Sequence, residues 1–266
     1  MGHVVDIGAR QMIGTSWKMN LVPAQARAYL ADLRTLAAAE AWGPRTVFVL
    51  PPYVDIEIAR EELKGSRILY GAQNVHHAKA GAFTGEVSAP MLAALGCQIV
   101  EVGHSERRRD QHETDELIGA KVAAILSNGM WPLVCVGESG QEHEDGLSAQ
   151  VVLAQLERIF EHVSEHDAGS LLVAYEPWWA IGVGATAAPL EHVARLHAVM
   201  GEWLSQRWHA GDEIPVLYGG SVDLDNAAAL LATPGVDGLF VGRAALDPAT
   251  FAAICRAGMG ERGAGD

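Results

Sequence analysis

The chain has 266 residues, of which 49% are hydrophobic and 20% are charged, and its formal net charge is −14. This acidity argues against general binding to nucleic acid or to anionic membrane surfaces. The three cysteines form no C-x-x-C pair, so the sequence indicates neither a disulfide framework nor a metal site. The N-terminus lacks the apolar core of a signal peptide and no stretch reaches membrane-spanning length, so we expect a cytoplasmic protein.

Short apolar runs alternate with longer amphipathic stretches along the whole chain. This alternation is typical of parallel βαβ units, in which buried strands read as continuous apolar runs. The predicted strands are residues 12–17, 46–50, 68–72, 99–102, 133–136, 171–175, 216–218 and 239–241. The predicted helices include residues 23–39, 56–63, 113–128, 148–163, 189–207 and 226–232.

Eight strands with intervening helices favour one (β/α)₈ barrel, an α/β fold, over an open doubly wound sheet. A doubly wound sheet would usually carry a Gly-rich fingerprint after its first strand, whereas this strand ends in Ser16-Trp17-Lys18. No linker rich in Pro, Gly or Ser divides the chain. We therefore predict one domain over residues 1–266, with a flexible N-terminal extension (about 1–11) and a C-terminal tail (about 258–266).

Polar residues come directly after the predicted strands. In a barrel these positions converge at the carboxyl ends of the strands, where active sites are built, so the pattern indicates an enzyme. In strand order the residues are Lys18, Asn74, His104, Glu106, Glu138, Glu176, Gly219, Gly220, Ser221, Gly242 and Arg243.

Lys18 follows the first strand and is a compact cation in an acidic protein. Such a group can hold a phosphate and neutralise an enediolate. A Schiff-base lysine, as in barrel aldolases, is the alternative, but a Schiff base needs a depressed pKa and a nearby carboxylate would raise it. Glu106 is either a second acid/base or the ion-pair partner of Lys18, and we favour the second role.

His104 comes directly after the fourth strand and opens a helix. An imidazole in this position can accept a backbone N–H, stay neutral and donate a proton to a developing enediolate oxygen. A surface or capping histidine is the structural alternative. Because Ser105 and Glu106 share the turn, we favour a functional role for His104.

Glu176 ends the sixth strand, next to Pro177 and two tryptophans. A poorly hydrated carboxylate has a raised pKa and suits a general base, although a rim glutamate paired with a cation would look the same. The segment PWWAIGVGATA at 177–187 is typical of a lid that closes over ligand. Gly182 provides hinge freedom or a backbone N–H for a phosphate.

Gly219-Gly220-Ser221 and Gly242-Arg243 follow the last two strands. Loops at these places often form a phosphate site in barrels, because glycines let backbone N–H groups approach an anion. Ser221 adds a hydroxyl donor and Arg243 a guanidinium. Together the two loops predict a phosphate cradle.

Three further positions are weaker candidates. His76 and His77 are adjacent and rarely both reach one ion, so a loop or interface role is expected. Cys135 lies within a strand and is expected to pack. His143, between two glutamates, is expected on the solvated surface.

Over nearly the whole chain the motifs resemble those of the triosephosphate isomerase family, whose members are the reference case for a Glu base paired with a neutral His. The resemblance implies a TIM barrel and a small phosphorylated ketose or aldose as substrate, and we expect no metal or cofactor. The motifs, in order, are SWKMN (16–20), GAQNV (71–75), GAFTGEVS (81–88), EVGHSERR (101–108), VCVGE (134–138), AYEPWWAIG (174–182), LYGGSV (217–222) and DGLFVGR (237–243).

The resemblance also implies roles for individual residues. It implies a homodimer in which the GAFTGE loop, with Phe83 and Thr84, docks into a neighbouring subunit. It assigns catalysis to Glu176, His104 and Lys18, with Glu106 in support. It assigns phosphate binding through backbone N–H groups to Gly182, Ser221 and the Gly242 loop. Together with the reading of the single motifs, the predicted substrate-binding residues are Ser16, Lys18, Gly182, Gly219, Gly220, Ser221, Gly242 and Arg243.

The chain departs from the family pattern at three places. The family carries Asn at the position of Ser16, a GTGKTA lid end where this chain has GVGATA at 182–187, and Gly-Gly where it has Gly242-Arg243. The TSWKMN start and the GLFVGRAA segment are more similar to a sister group, the L-erythrulose-1-phosphate isomerases. Their substrate is dihydroxyacetone phosphate with a CH₂OH group on the reacting carbon, and Ser in place of Asn leaves room for that group.

We therefore expect an isomerase that converts L-erythrulose 1-phosphate to D-erythrulose 4-phosphate. The first alternative is a triosephosphate isomerase of glycolysis and gluconeogenesis, which interconverts dihydroxyacetone phosphate and D-glyceraldehyde 3-phosphate. A non-catalytic sugar-phosphate-binding barrel and a Schiff-base aldolase are weaker alternatives. A non-catalytic binding barrel would be expected to lack the base or the electrophile. A Schiff-base aldolase predicts borohydride trapping of substrate on Lys18.

Overall fold

The computed structural model describes residues 11–39, 42–182 and 186–259. Nearly all of the extension predicted at 1–11, and residues 260–266 of the predicted tail, lie outside the described residues. The described chain forms one closed barrel of eight parallel strands with helices around it, which confirms the predicted (β/α)₈ fold.

Each strand pairs in parallel with the next one along the chain, and the last pairs with the first, with Met12 opposite Gly238. All eight predicted strands are present, with small shifts at their ends. The strands are β1 (Met12–Ser16), β2 (Thr46–Leu50), β3 (Leu69–Ala72), β4 (Ile99–Val102), β5 (Trp131–Val136), β6 (Leu172–Tyr175), β7 (Val216–Tyr218) and β8 (Gly238–Val241).

The longer helices match the amphipathic stretches of the sequence. The helix predicted from residue 113 begins two residues later, because the Thr114 hydroxyl caps it by accepting the Leu117 N–H at 3.3 Å. Several short helices were not predicted, because four to six residues are too few to show a helical period. The helices are α1 (Pro23–Ala39), α2 (Ile56–Glu62), α3 (Ala89–Ala94), α4 (Ser105–Gln111), α5 (Asp115–Leu126), α6 (Gly140–Glu144), α7 (Ser148–Ile159), α8 (Glu165–Ala168), α9 (Leu190–Arg207), α10 (Ala227–Leu231) and α11 (Pro248–Arg256).

The barrel interior is filled by side chains. Phe48 and Phe240 stack across it with ring centroids 6.0 Å apart. Gly14 makes room for Phe48, since a Cβ there would lie 1.9 Å from the Phe48 ring. Cys135 belongs to the same apolar cluster, in line with its expected packing role. Because side chains fill the barrel interior, a ligand is expected at the carboxyl ends of the strands, where barrel active sites lie.

None of the helices in the described ranges combines the length and the apolar character needed to cross a bilayer.

Candidate active site

Two adjoining cavities open at the carboxyl ends of the strands. The larger has a volume of about 680 Å³ and the smaller about 270 Å³. Ser16, Lys18, His104 and Glu106 line both cavities, so these residues mark where the two meet. The other predicted catalytic and substrate-binding residues line the larger cavity: Glu176, Gly182, Gly219, Gly220, Ser221, Gly242 and Arg243.

His104 lies at the N-terminal end of α4 and is buried. Its Nδ1 accepts the backbone N–H of Glu106 at 3.1 Å, which leaves the proton of the neutral ring on Nε2. Burial, followed by the positive charge of Lys18, lowers the pKa of His104 to about 3. The ring is therefore neutral near pH 7, as the sequence predicted, and can donate from Nε2.

Glu176 follows β6 and is 2% exposed. Its Oε1 lies 3.4 Å from Nε2 of His104. Gly219 provides the space for this side chain, because a Cβ on Gly219 would lie 2.8 Å from Glu176 Cγ. Burial, followed by the negative charge of Glu101, raises the pKa of Glu176 to about 8. Such a carboxyl group can act as a general base near neutral pH.

Lys18 has a left-handed backbone with φ of +54°, which is uncommon for a residue with a Cβ. Gln73 holds this turn by donating from Nε2 to the Lys18 carbonyl at 3.1 Å. Backbone strain of this kind collects at functional sites. The Lys18 Nζ lies 2.7 Å from Glu106 Oε1, which is the ion pair predicted for Glu106.

One residue of the predicted phosphate cradle differs from expectation. The Gly219 N–H donates to the Tyr175 carbonyl at 2.8 Å, so it is not available to an anion. Ser221, Gly242 and Arg243 lie on the wall of the larger cavity. They stay candidates for phosphate binding.

The start of the predicted lid is held by a buried carboxylate. Trp179 Nε1 donates to Glu138 Oε1 at 2.9 Å, and the Tyr175 hydroxyl donates to the same group at 3.1 Å. Burial opposes ionisation, but hydrogen bonds from His192, Trp179 and Tyr175 lower the pKa of Glu138 to about 2. The Glu138 carboxylate is therefore a charged anchor for this end of the lid.

His143 also packs on this anchor. Its ring stacks on Trp179 with centroids 4.1 Å apart and its side chain is 35% exposed, so the expectation of a solvated surface residue holds only in part. The reason is tertiary, because α6 brings His143 against the lid. Gly182 is exposed with φ of +118°, and residues 183–185 of the predicted lid lie outside the described residues.

Glu101 was missed at the level of sequence. It lies in β4, is 2% exposed, and has an oxygen within 4.8 Å of ligand atoms of His104 and Glu176. Burial raises the pKa of Glu101 to about 7. A signal was present, since Glu101 is the single charged residue of a buried strand and lies two residues after Ile99, which faces the interior.

Two groups of side chains in the described ranges have the composition and spacing to hold a metal ion. Within each group the ligand atoms lie within 4.8 Å of one another. One group is Glu101, His104 and Glu176, which includes the candidate base. The other is Glu138, His143 and His192, in which Glu138 already accepts hydrogen bonds that a metal would displace.

The loop predicted to reach a neighbouring subunit carries exposed side chains. Phe83 is 44% exposed and packs against His76, with ring centroids 4.2 Å apart and the ring planes tilted by 38°. Thr84 is exposed, and neither residue belongs to the lining of the two described cavities. Docking of this loop onto a second copy stays a prediction.

Comparison with known proteins gives one consistent family. The family model described as "Triosephosphate isomerase" matches residues 11–258. The triosephosphate isomerase of Synechococcus sp. (strain JA-3-3Ab) is 42% identical over 246 residues, covering 91% of this chain and 93% of that protein. The triosephosphate isomerase of Thermus thermophilus is 40% identical, covering 93% and 98%. The crystal structure of triosephosphate isomerase from Bartonella henselae matches with a TM-score of 0.84 at 33% identity, covering 93% and 98%.

Proposed function

The chain belongs to the triosephosphate isomerase family and is an isomerase, and from this premise we propose that it interconverts dihydroxyacetone phosphate and D-glyceraldehyde 3-phosphate. The observation that carries the proposal is the buried pair of Glu176 and neutral His104, whose facing atoms are 3.4 Å apart in the larger cavity. The relatives named above support a triose substrate over the four-carbon substrate that the sequence motifs favoured.

In the proposed reaction Glu176 accepts a proton from the carbon next to the carbonyl. The C–H electron pair forms the enediol double bond and the carbonyl oxygen gains negative charge, which the Nε2 proton of His104 and the Lys18 ammonium stabilise. His104 gives its Nε2 proton to this oxygen and takes up the proton of the neighbouring hydroxyl, whose oxygen becomes the new carbonyl oxygen. Glu176 returns its proton to the former carbonyl carbon, so the carbonyl moves by one position and both residues regain their starting protonation. Glu106 holds Lys18 in place at 2.7 Å.

The phosphate of the substrate is proposed to lie against the wall formed after β7 and β8. Gly182, Ser221 and Gly242 provide backbone N–H groups there, and Arg243 adds a cation. These few local donors matter, because the whole chain carries a net charge of −14 and repels an anion at long range.

L-Erythrulose 1-phosphate is the second candidate substrate, and Ser16 is the observation that favours it. Ser16 is 6% exposed and lines both cavities, at the place where the family carries a larger Asn. The serine leaves space beside the reacting carbon. Both substrates use the same proton transfer, so one set of catalytic residues serves either.

Steady-state kinetics on the purified protein test the function. We expect turnover of dihydroxyacetone phosphate, and its kcat/KM relative to that of L-erythrulose 1-phosphate ranks the two substrates.

Glu176→Gln is expected to lower kcat by roughly 10²–10⁴-fold, since it removes the base without changing the size of the side chain. The exposed Glu144→Gln is the matched control and should keep full activity. Full turnover by Glu176→Gln would refute the assigned base.

We also propose that two copies associate through the loop that carries Phe83 and Thr84. Its exposed side chains support this proposal. Sedimentation equilibrium should give twice the chain mass of 28.3 kDa, and a monomer at all concentrations would contradict it.

A further inference from the structure

The short segment that carries Glu176 is held by Glu138 on both sides of the base. The Tyr175 hydroxyl, one residue before Glu176, lies 3.1 Å from each carboxylate oxygen of Glu138. Trp179, which follows Glu176, donates from Nε1 to Glu138 Oε1 at 2.9 Å. Glu138 is fully buried, so these bonds are shielded from water. The bonds therefore flank the base and fix the backbone from which its side chain extends.

His192 joins this group from a different element. It lies in the first turn of α9 and is 8% exposed. Its Nε2 lies 2.7 Å from the Tyr175 hydroxyl oxygen and 3.4 Å from Glu138 Oε1. On the other side of the ring, Nδ1 lies 3.2 Å from a guanidinium nitrogen of Arg195, which is one turn further along the same helix. Neither His192 nor Arg195 has a part in the proton transfer described above.

Arg195 sets the direction of these hydrogen bonds. A guanidinium has donors and no acceptor, so Nδ1 of His192 accepts from Arg195. A ring that accepts at Nδ1 carries its proton on Nε2 and donates it to the Tyr175 oxygen, which is the nearer acceptor. The single proton of the tyrosine hydroxyl is then directed at Glu138. Hydrogen bonds that run in one direction strengthen one another inside a protein.

We propose that His192 is a positioning residue for Glu176, and that Arg195 orients His192 for this role. The chain of donors runs from Arg195 through His192 and Tyr175 to the Glu138 carboxylate. It ties α9 to the segment that carries the base and so sets the distance between the base and the reacting carbon. A misplacement of about 1 Å between reacting groups can cost roughly 100-fold in rate. This inference rests on the proposed isomerase function.

The same order of donors argues against a metal ion held by Glu138, His143 and His192. The three side chains are close enough for one ion. The His192 nitrogen that faces Glu138 is Nε2, however, and it carries a proton. Moving this proton to Nδ1 would set it against a donor of Arg195. The group is therefore better suited to holding a carboxylate in place than to holding a metal ion.

The test measures kcat in variants of the full chain that urea denaturation shows to be folded, with the better of the two candidate substrates. His192→Leu removes the donor at similar side-chain size and is expected to lower kcat by about 10-fold with little change in KM, because the base acts in the transition state. His192→Gln can still accept from Arg195 and donate to Tyr175, so it should retain most of kcat. The exposed Glu191→Gln, in the same turn of α9, is the matched control and should leave kcat unchanged.

A double-mutant cycle separates positioning from a general packing defect. Tyr175→Phe removes the hydroxyl through which His192 is proposed to act. Adding His192→Leu to Tyr175→Phe should therefore lower kcat no further than Tyr175→Phe alone. Effects of the two substitutions that multiply would show that His192 does not act through Tyr175, and would overturn the proposal.

Arg195 provides a second test in case His192→Leu does not fold. Its side chain is exposed, so substitution should leave the packing of α9 intact. Arg195→Leu is expected to lower kcat by about threefold, because His192 is no longer held in one tautomer, whereas Arg195→Lys keeps a donor and should stay near the wild type. Full kcat in folded Arg195→Leu or His192→Leu overturns the positioning role while the isomerase function stands. A wild type that turns over neither candidate substrate overturns the isomerase function instead.

Discussion

At the scale of single residues, two carboxyl groups compete for ionisation inside the site. Glu176 and Glu101 are both 2% exposed, and each has one carboxyl oxygen without a partner in the described chain. Burial, followed by the negative charge of Glu101, raises the pKa of Glu176 to about 8. Burial raises the pKa of Glu101 to about 7. Two such groups titrate as a pair, so the protonation of one controls the basicity of the other.

This pair predicts the pH dependence of the reaction. Glu176 must be ionised to accept a proton, so kcat/KM for dihydroxyacetone phosphate should rise with pH through about 8. Glu101→Gln removes the neighbouring negative charge, which lowers the pKa of Glu176 and moves the rise to lower pH. The measurement is the pH profile of kcat/KM for both proteins. Superimposable profiles would show that Glu101 does not act on Glu176.

The raised pKa of Glu176 also makes the stability of the folded chain depend on pH. The pKa of Glu176 is higher in the folded chain than its ordinary value of 4.5, so the folded state prefers the protonated carboxyl. Its stabilising contribution is present at low pH and is lost as pH rises through about 8. The site thus keeps a basic carboxylate at the expense of stability under the conditions where it works.

At the scale of elements, the lid is tied to the barrel by the group around Glu138. Trp179 Nε1 donates to Glu138 at 2.9 Å, and the Ser148 hydroxyl at the start of α7 donates to the same carboxylate at 3.1 Å. One buried anion therefore connects the strand β5 end, a helix and the lid. These bonds hold the start of the lid against the barrel.

Trp179→Phe tests the role of this connection. The change removes one hydrogen bond to a buried carboxylate, worth about 1.5 kcal/mol, so we expect roughly a tenfold lower kcat and faster limited proteolysis of the lid. Trp131→Phe is the matched control, because Trp131 Nε1 has no hydrogen-bond partner in the described part of the chain. Equal effects of the two substitutions would argue against a specific anchor.

At the scale of the whole molecule, the closure of the barrel depends on close backbone contact between β8 and β1. Gly238 lies opposite Met12, and a Cβ on Gly238 would lie 1.9 Å from the Met12 carbonyl oxygen. Neither backbone can move away without opening the ring of strands. The glycine is therefore required by the closure and not by a turn.

Gly238→Ala is expected to lower the free energy of unfolding by about 3 kcal/mol, since the clash falls on backbone atoms. Gly201→Ala is the control. Gly201 lies within α9 and has open space at the Cβ position, so alanine should raise the free energy of unfolding by about 0.5–1 kcal/mol. Urea denaturation at one protein concentration measures both. A neutral Gly238→Ala would mean that the barrel closes less tightly than the structure describes.

The sequence by itself determined the barrel and the end of it at which the candidate catalytic residues meet. Short apolar strands and intervening helices are local patterns, and residues after parallel strands must meet at one end of a barrel. The sequence alone therefore places Lys18, His104 and Glu176 together. The Lys18–Glu106 ion pair followed from the same reasoning, because Lys18 comes after β1 and Glu106 after β4, at the same end of the barrel.

Only the tertiary structure decided the contacts between distant elements. The interior position of Glu101, the use of the Gly219 N–H by Tyr175 and the stacking of His143 on Trp179 each depend on how far apart two segments lie in space. Local patterns report which face a residue occupies, whereas burial, pKa and free hydrogen-bonding groups are set by what the other strands and helices bring to that face. The physical reason is that desolvation and pairing act through space, across separations in sequence that no local pattern records.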